Sequence, residues 1–311
     1  MPIRIPDSLP ATATLESENI FVMTEYRALH QDIRPLNLLI LNLMPTKIVT
    51  ETQFLRKLSN TPLQIRVELL QTASYQSTHT DASHLDSFYT TFDQIKDKTY
   101  DGMIITGAPL AFVPWEEVEY WDELCRIMDW TTTHVHSTMH VCWGAFAGLY
   151  YHYGVPKVLR DKKLFGVYPH SPVPAKKQSP LFRGLDDVFY VPQSREIELN
   201  EADILKVPEL ELMATSPEAG VFAVKSKDNR RFFLTGHGEY DADTLANEYW
   251  RDKNKGLDID LPEHYFPNDD PTQPPIVNWR SAGQLIYNNW LNYYVYQTTP
   301  YDLNKLSKPD K

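Results

Sequence analysis

The stretch His140-Val141-Cys142-Trp143-Gly144-Ala145-Phe146-Ala147-Gly148 decides the fold. A β-rich run, His134 to Val141, delivers a cysteine, and small residues open a helix over Trp143 to Tyr153 directly behind it. That pattern is a strand–nucleophile–helix elbow, in which Gly or Ala lets the helix approach the sheet closely. The unpaired N–H groups and dipole of a helix N-terminus favour a thiolate there and can donate to an oxyanion. The same residues also read as a buried small hydrophobe at Cys142, as cysteine often is. Cys125 falls on the apolar stripe of its own helix and reads as core.

Outward from the elbow, strands alternate with helices. Leu36 to Leu41 is an aliphatic run suited to a strand buried on both faces. Thr50 and Glu51 open a helix with Phe54, Leu55 and Leu58 on one side, and Tyr100 to Thr106 is a second buried strand stopped by Gly107-Ala108-Pro109. Trp115 to Trp130 reads as one amphipathic helix started by Pro114. Leu212 to Ala214, Val221 to Lys225 and Arg231 to Thr235 read as further strands, and Ser281 as the cap of a final helix. Two proline-rich segments, Tyr168 to Pro180 and Pro262 to Pro275, read as ordered surface loops or lids. This order predicts an α/β fold, with a mostly parallel sheet, helices on both faces and an active site at the carboxyl ends of the strands. One domain is expected over residues 1–311.

Composition narrows the function classes. The 311 residues are 42% hydrophobic, material for a large core. Asp and Glu outnumber Lys and Arg by 41 to 30, giving a formal net charge of −11. So acidic a surface argues against nucleic acid and anionic membranes as main partners. The most apolar stretch, Leu36 to Met44, is far short of the roughly 20 residues a membrane span needs. Met1-Pro2-Ile3-Arg4-Ile5-Pro6-Asp7 holds no apolar signal core, and two cysteines make no disulfide framework, so a cytoplasmic protein is expected.

A thiol nucleophile needs a base, and His237 in Thr235-Gly236-His237-Gly238-Glu239-Tyr240 is the best partner. It follows a strand, as Cys142 does, so both would reach the same sheet edge. In extended chain Glu239 points to the same side as His237 and can fix its tautomer. Cys142, His237 and Glu239 then form a nucleophile–base–orienter set. His134, His136 and His140 would share a face of a regular strand and could hold a metal, but no carboxylate or second cysteine has ligand spacing, so structural histidines and no metal are expected.

The chain resembles the homoserine O-acyltransferase family over nearly its full length. The matching segments are Met1 to Ile5, Glu18 to Met23, His30 to Leu36, Leu41 to Pro45, Thr106 to Pro109, Cys142 to Ala145, Glu248 to Asp252 and Asn289 to Tyr293. The resemblance implies a flavodoxin-like, class I glutamine-amidotransferase-like fold and a homodimer. An N-terminal extension (about 1–35) and a C-terminal loop and helix region (about 255–311) would pack on the domain. It places the acyl-thioester cysteine on Cys142, the general base on His237 and the third triad member on Glu239. Its substrate-binding residues fall on Lys163, Ser194 and Arg251. The implied reaction is ping-pong acyl transfer from acyl-CoA, a co-substrate rather than a bound cofactor, to the hydroxyl of L-homoserine on the way to methionine. Since CoA carries phosphates, a local basic patch is required. Lys47 is a candidate contact for phosphate or oxyanion, and Trp143 for the oxyanion.

Three departures from the family pattern bear on substrates. The position that helps choose the acyl group, Gly with succinyl and Glu with acetyl, is Ala111. Alanine has neither the charge nor the bulk that would exclude succinate's free carboxylate, so it leans toward succinyl-CoA. Phe165 stands where the family often has Ser, and Gln193 replaces the His before Ser194. A larger Phe would shrink the acceptor pocket toward L-serine, one methylene shorter, making serine O-acetylation for cysteine synthesis the alternative. A glutamine amidotransferase subunit and a non-catalytic ligand-binding protein are the remaining rivals.

Overall fold

The structure, a computed structural model, describes residues 3–5, 22–24, 35–74, 80–300, 302, 303 and 306. Ile3–Ile5 (β1) and Val22–Thr24 (β2) pair in parallel as a small separate sheet. Glu18 to Phe21 and His30 to Arg34, which help carry the family resemblance, lie outside the described residues with most of the expected N-terminal extension.

The other strands form one ten-stranded sheet. Its first half alternates: Leu36–Leu41 (β3), Lys47–Ser59 (α1), Ile65–Leu70 (β4), Ala82–Phe88 (α2), Tyr89–Thr90 (β5), Phe92–Ile95 (α3), Tyr100–Ile105 (β6), Trp121–His134 (α4), Val135–Val141 (β7) and Trp143–Tyr153 (α5). The second half is richer in strands: Val158–Pro172 (β8), Phe189–Glu198 (β9), Glu201–Leu205 (α6), Leu210–Ser216 (β10), Gly220–Ser226 (β11) and Arg231–Leu234 (β12). Thr244–Asn254 (α7) and Arg280–Asn289 (α8) follow, the latter running into a π-helical segment, Trp290–Tyr296. The spatial order is β5-β4-β3-β6-β7-β12-β11-β10-β8-β9. Every neighbouring pair from β5 to β12 is parallel, and every pair from β12 to β9 antiparallel.

Side-chain alternation along the central strands feeds two cores. Met103 and Ile105 of β6 pack with Leu124 and Ile127 of α4 and Phe146 of α5. On the opposite face Ile104, Met139 and Val141 pack with Phe54 and Leu58 of α1 and Ile286 of α8. Helices therefore cover both faces, as the unbroken apolar runs of β3 and β6 require. A third cluster, including Phe165 and Val167 of β8, Leu245 and Tyr249 of α7, and Tyr265 and Trp279 beyond it, clamps α7 over β8.

Local readings need correction in four places. α1 begins at Lys47 rather than Thr50, and Leu55 faces outward, because the buried stripe is Lys47, Thr50, Glu51, Phe54 and Leu58. Trp115 to Trp130 is not one helix: a 3₁₀ turn at Trp115–Glu117 precedes α4. In a continuous helix, residues six apart point in different directions, whereas the break lets the Trp115 and Trp121 rings stack 5.3 Å apart. Tyr168 to Pro172 belongs to β8 instead of a loop. Pro169 and Pro172 both lie at paired positions, opposite Tyr190 of β9 and Ala214 of β10. Ser281 lies inside α8, whose N-cap position is Trp279.

Candidate active site

Cys142 sits where β7 ends and α5 begins, at φ 49° and ψ −123°. A positive φ is strained for a residue with a Cβ, and such strain persists only where the surroundings fix it. Here the Cys142 N–H donates to the Leu234 carbonyl at 2.7 Å, and the Cys142 carbonyl accepts from Ala145 at 2.8 Å. Gly144 permits the turn, since a methyl group there would lie 2.6 Å from the Thr106 carbonyl oxygen and 2.9 Å from that of Ile105. A methyl group on Gly107 would come 3.2 Å from Cys142 Cβ, and 3.7 Å from both its Sγ and the Trp143 amide nitrogen. Glycine at 107 thus keeps open the space above the sulfur, beside a backbone N–H at the start of α5.

β12 runs parallel to β7 with Leu234 beside Val141, so the segment leaving β12 reaches the edge where Cys142 lies. The His237 N–H donates to the Pro192 carbonyl of β9 at 2.9 Å, which fixes that segment from the other side. Nδ1 of His237 donates to Glu239 Oε1 at 2.6 Å, leaving Nε2 for the thiol. The Tyr287 hydroxyl donates to Glu239 Oε2 at 3.3 Å, and the Tyr240 ring stacks on the imidazole at 4.0 Å and 13°. Burial alone would lower the His237 pKa. The charges of Cys142 and Glu239, with hydrogen bonds to both, outweigh it and raise the value to about 10. Cys142, His237 and Glu239 are all buried, and the structure brings the three together.

Lys163 of β8, Ser194 of β9 and Arg251 of α7 also converge, around a carboxylate that sequence reasoning left unassigned. Glu248 Oε1 accepts from Lys163 Nζ at 2.6 Å and from Ser194 Oγ at 3.0 Å, with Oε2 at 2.9 Å from the same hydroxyl. Arg251 Nη2 stands 3.7 Å from Glu248, while its Nε and Nη2 donate to Asp252 at 2.6 and 2.7 Å. Phe165 turns its ring to this cluster, with Lys163 Nζ 4.8 Å from the ring centre. The cluster adjoins the nucleophile: the buried Tyr240 hydroxyl is raised well above its usual pKa by burial first, then by the charges of Glu248, Cys142 and Glu239.

Other predicted positions fall differently. Lys47 offers no exposed ammonium to a phosphate: it is 5% exposed, and its Nζ donates to the Asn42 carbonyl at 2.6 Å. Burial lowers its pKa to about 8 against the pull of Glu51. The Trp143 indole is core, donating to the Leu110 carbonyl at 3.2 Å, so only its backbone N–H can serve the oxyanion. Ala111 is buried in the same core as Trp115 and Trp143, and its carbonyl accepts from Lys157 Nζ at 3.1 Å. Gln193 does not line the acceptor cluster; it is fully buried, 3.3 Å from His170 Nε2 and accepting from Arg195 at 3.2 Å. Cys125 is only half-buried, and burial with Asp122, Asp129 and Glu116 pushes its pKa up to about 11, unlike a reactive thiol. The three histidines do not share a face: His134 ends α4, His136 bonds Thr298, and His140 is buried against Phe233.

Sequence reasoning missed Glu248, whose bonds to Lys163 and Ser194 cross 85 and 54 residues, and Tyr240, whose ring stacks on His237. Gly107 left a signal, a glycine directly after a buried strand on the same edge as the nucleophile. No helix among the described residues is long and apolar enough to cross a membrane.

Residues 2–301 match the family model described as homoserine O-succinyltransferase. The chain is 56% identical to a homoserine O-acetyltransferase of Acetivibrio thermocellus, covering 98% of this chain and all of the relative. It is 58% identical to a homoserine O-acetyltransferase of Geobacillus kaustophilus, covering 97% and 99%. Among solved structures, a glutamine amidotransferase from Thermotoga maritima superposes with a TM-score of 0.56 at 13% identity, covering 85% of this chain and 99% of that one. That likeness supports the expected fold and, at such identity, the fold alone.

Proposed function

The chain belongs to the homoserine O-succinyltransferase family, and from that premise we propose that it transfers an acetyl group from acetyl-CoA to the hydroxyl of L-homoserine through a thioester on Cys142. The relatives' acetyl name favours that donor. The lean toward succinyl drawn from Ala111 finds no support in it.

The observation that carries the mechanism is that Cys142, at the turn from β7 into α5, and His237, bonded to Glu239 at 2.6 Å, leave neighbouring parallel strands at the same sheet edge. Attack of the Cys142 thiolate on the thioester carbonyl forms one C–S bond. Collapse of the tetrahedral intermediate breaks the bond to CoA, whose sulfur takes the proton from His237 Nε2. The Trp143 backbone N–H at the start of α5, 3.7 Å from where a methyl group on Gly107 would lie, is the donor available to the oxyanion. The acylated sulfur is neutral, so the first influence raising the His237 pKa vanishes and the imidazole becomes a base. It then takes the acceptor's hydroxyl proton as oxygen attacks, and departure of the Cys142 thiolate restores the ion pair. Glu239 holds the tautomer throughout. Lys163, Ser194 and Arg251 bind the acceptor beside this centre. A single domain and a homodimer belong to the same reading; light scattering tests the dimer.

Serine is the second reading, favoured by Phe165, whose ring occupies space next to Lys163 in the acceptor cluster. A crossed assay of acetyl-CoA and succinyl-CoA against homoserine and serine separates these. The highest kcat/KM is expected for acetyl-CoA with homoserine. Higher efficiency with serine would install the second reading, and absence of product from all four pairs would refute acyl transfer.

A further inference from the structure

We propose that Lys157 is a positioning residue for the acyl donor: its ammonium pins the chain that leaves β6 beside the Cys142 sulfur, and that chain walls the donor's side of the site. The inference rests on the acyl-transfer reading above and deepens it. Thr106 to Pro114 lies outside helix and strand, so its backbone polar groups must find partners elsewhere. The segment begins at the nucleophile, since a methyl group on Gly107 would come 3.7 Å from Cys142 Sγ. Lys163 and Ser194, assigned to the acceptor, stand on β8 and β9, on the opposite side of β7 from β6 in the sheet. The β6 side is left to the donor.

Side chains hold this wall by its carbonyls. That of Leu110 accepts from the Trp143 indole at 3.2 Å. Those of Ala111 and Val113 accept from Lys157 Nζ at 3.1 and 2.6 Å. The same Nζ stands 4.1 Å from the centre of the Trp115 ring, which packs 5.3 Å from that of Trp143. One cation therefore ties residues 111, 113 and 115 together, and Trp115 ties them to the residue after the nucleophile. An ammonium has three N–H donors, and two carbonyls with a ring face occupy them. Bonds from a charged donor are stronger than neutral ones, which makes the clamp stiff. Lys157 reaches it from the connection between α5 and β8, so no regular structure of the segment itself could replace it.

The rival role is a brace for the fold. Lys157→Met keeps an apolar stem over Trp115 and removes the charge and the donors. Three quantities separate the roles: acetylation of Cys142 by acetyl-CoA alone, alkylation of Cys142 by iodoacetamide, and kcat/KM for homoserine, which in a ping-pong reaction reports the second half alone. Mass spectrometry of the Cys142 peptide follows the first two. A positioning residue predicts acetylation slowed about 10- to 100-fold, because small displacements of reacting groups are costly, with alkylation and kcat/KM for homoserine within about twofold of wild type. Lys157→Arg should recover part of the acetylation rate. Acetylation at the wild-type rate would overturn the proposal, as would equal slowing of alkylation or an equal fall in kcat/KM for homoserine. If Lys157→Met does not fold, Lys157→Gln, which keeps a donor for one carbonyl, is put through the same comparison and the same outcomes decide. Failure of wild-type Cys142 to acetylate would instead bring down the acyl-transfer reading itself.

Discussion

The nucleophile centre and the acceptor cluster lie side by side but are built in opposite ways. Cys142 and His237 leave neighbouring parallel strands, and each is fixed by backbone bonds within a residue or two of its reactive side chain. The centre is buried, and its ionisation is set internally by one thiol, one imidazole and one carboxylate. The acceptor cluster takes single side chains from β8, β9 and α7, joined through Glu248 and held by the aromatic packing of Tyr265 and Trp279. Arg251, at its rim, has a side chain 55% exposed. The first arrangement keeps chemistry constant, because changing it breaks the sheet edge. The second is expected to change substrate by exchange of a single residue, and Phe165, 4.8 Å from Lys163 Nζ, is the position where that is tested.

If that division holds, variants of the two regions should fail differently. Cys142→Ala should lower turnover by about 10,000-fold or more and abolish thioester formation. Turnover near wild type would erase the distinction between the regions. Glu239→Gln should cost about 100- to 10,000-fold in kcat while leaving acceptor KM nearly unchanged. The same variant carries a stability signature. The His237 pKa is raised from 6.5 to about 10 in the folded protein, so its favourable interactions are fully present below pH 6.5 and lost as pH rises through about 10. The melting-temperature deficit of Glu239→Gln should therefore be largest at and below about pH 6.5, shrink between pH 6.5 and 10, and be gone above that; a deficit that grew with pH would contradict the charge coupling.

Gly107→Ala tests the space above the sulfur. Pre-steady-state acylation should slow by about 10- to 100-fold, since small displacements of reacting atoms are costly. A slower deacylation step alone would place Gly107 outside the oxyanion region. Phe165→Ser should act only on the acceptor side, raising the homoserine-to-serine ratio of kcat/KM by about 10-fold, the scale of one methylene. A ratio that stays fixed would show that the ring does not size the pocket.

The same contrast governs what could be read from the chain. The elbow and the His-x-Glu pair were legible because each compresses its geometry into adjacent residues at strand ends. β3, β6 and β12 were legible as strands because two cores demand apolar residues on both faces, and β7 because it leads into the elbow. β8 and β9 were not, since their buried positions carry His170, Gln193 and Arg195, which satisfy one another and backbone carbonyls, and the apolar alternation disappears. Lys163, Ser194 and Arg251 entered only through resemblance. Nothing local marks residues so far apart in sequence as neighbours, and their hub at Glu248 reads as one more acid on a charged helix. Lys47, named because CoA's phosphates call for a basic patch, is instead buried and donates to the Asn42 carbonyl, which no local pattern announces.

The measurement that bears most directly on the mechanism is the mass of the protein after incubation with acetyl-CoA in the absence of any acceptor. One acetyl group should appear, on the peptide carrying Cys142, and disappear on addition of homoserine with an equal amount of O-acetylhomoserine formed. Release of CoA only when acceptor is present, with Cys142 unmodified throughout, would mean direct transfer between substrates and would contradict the thioester mechanism.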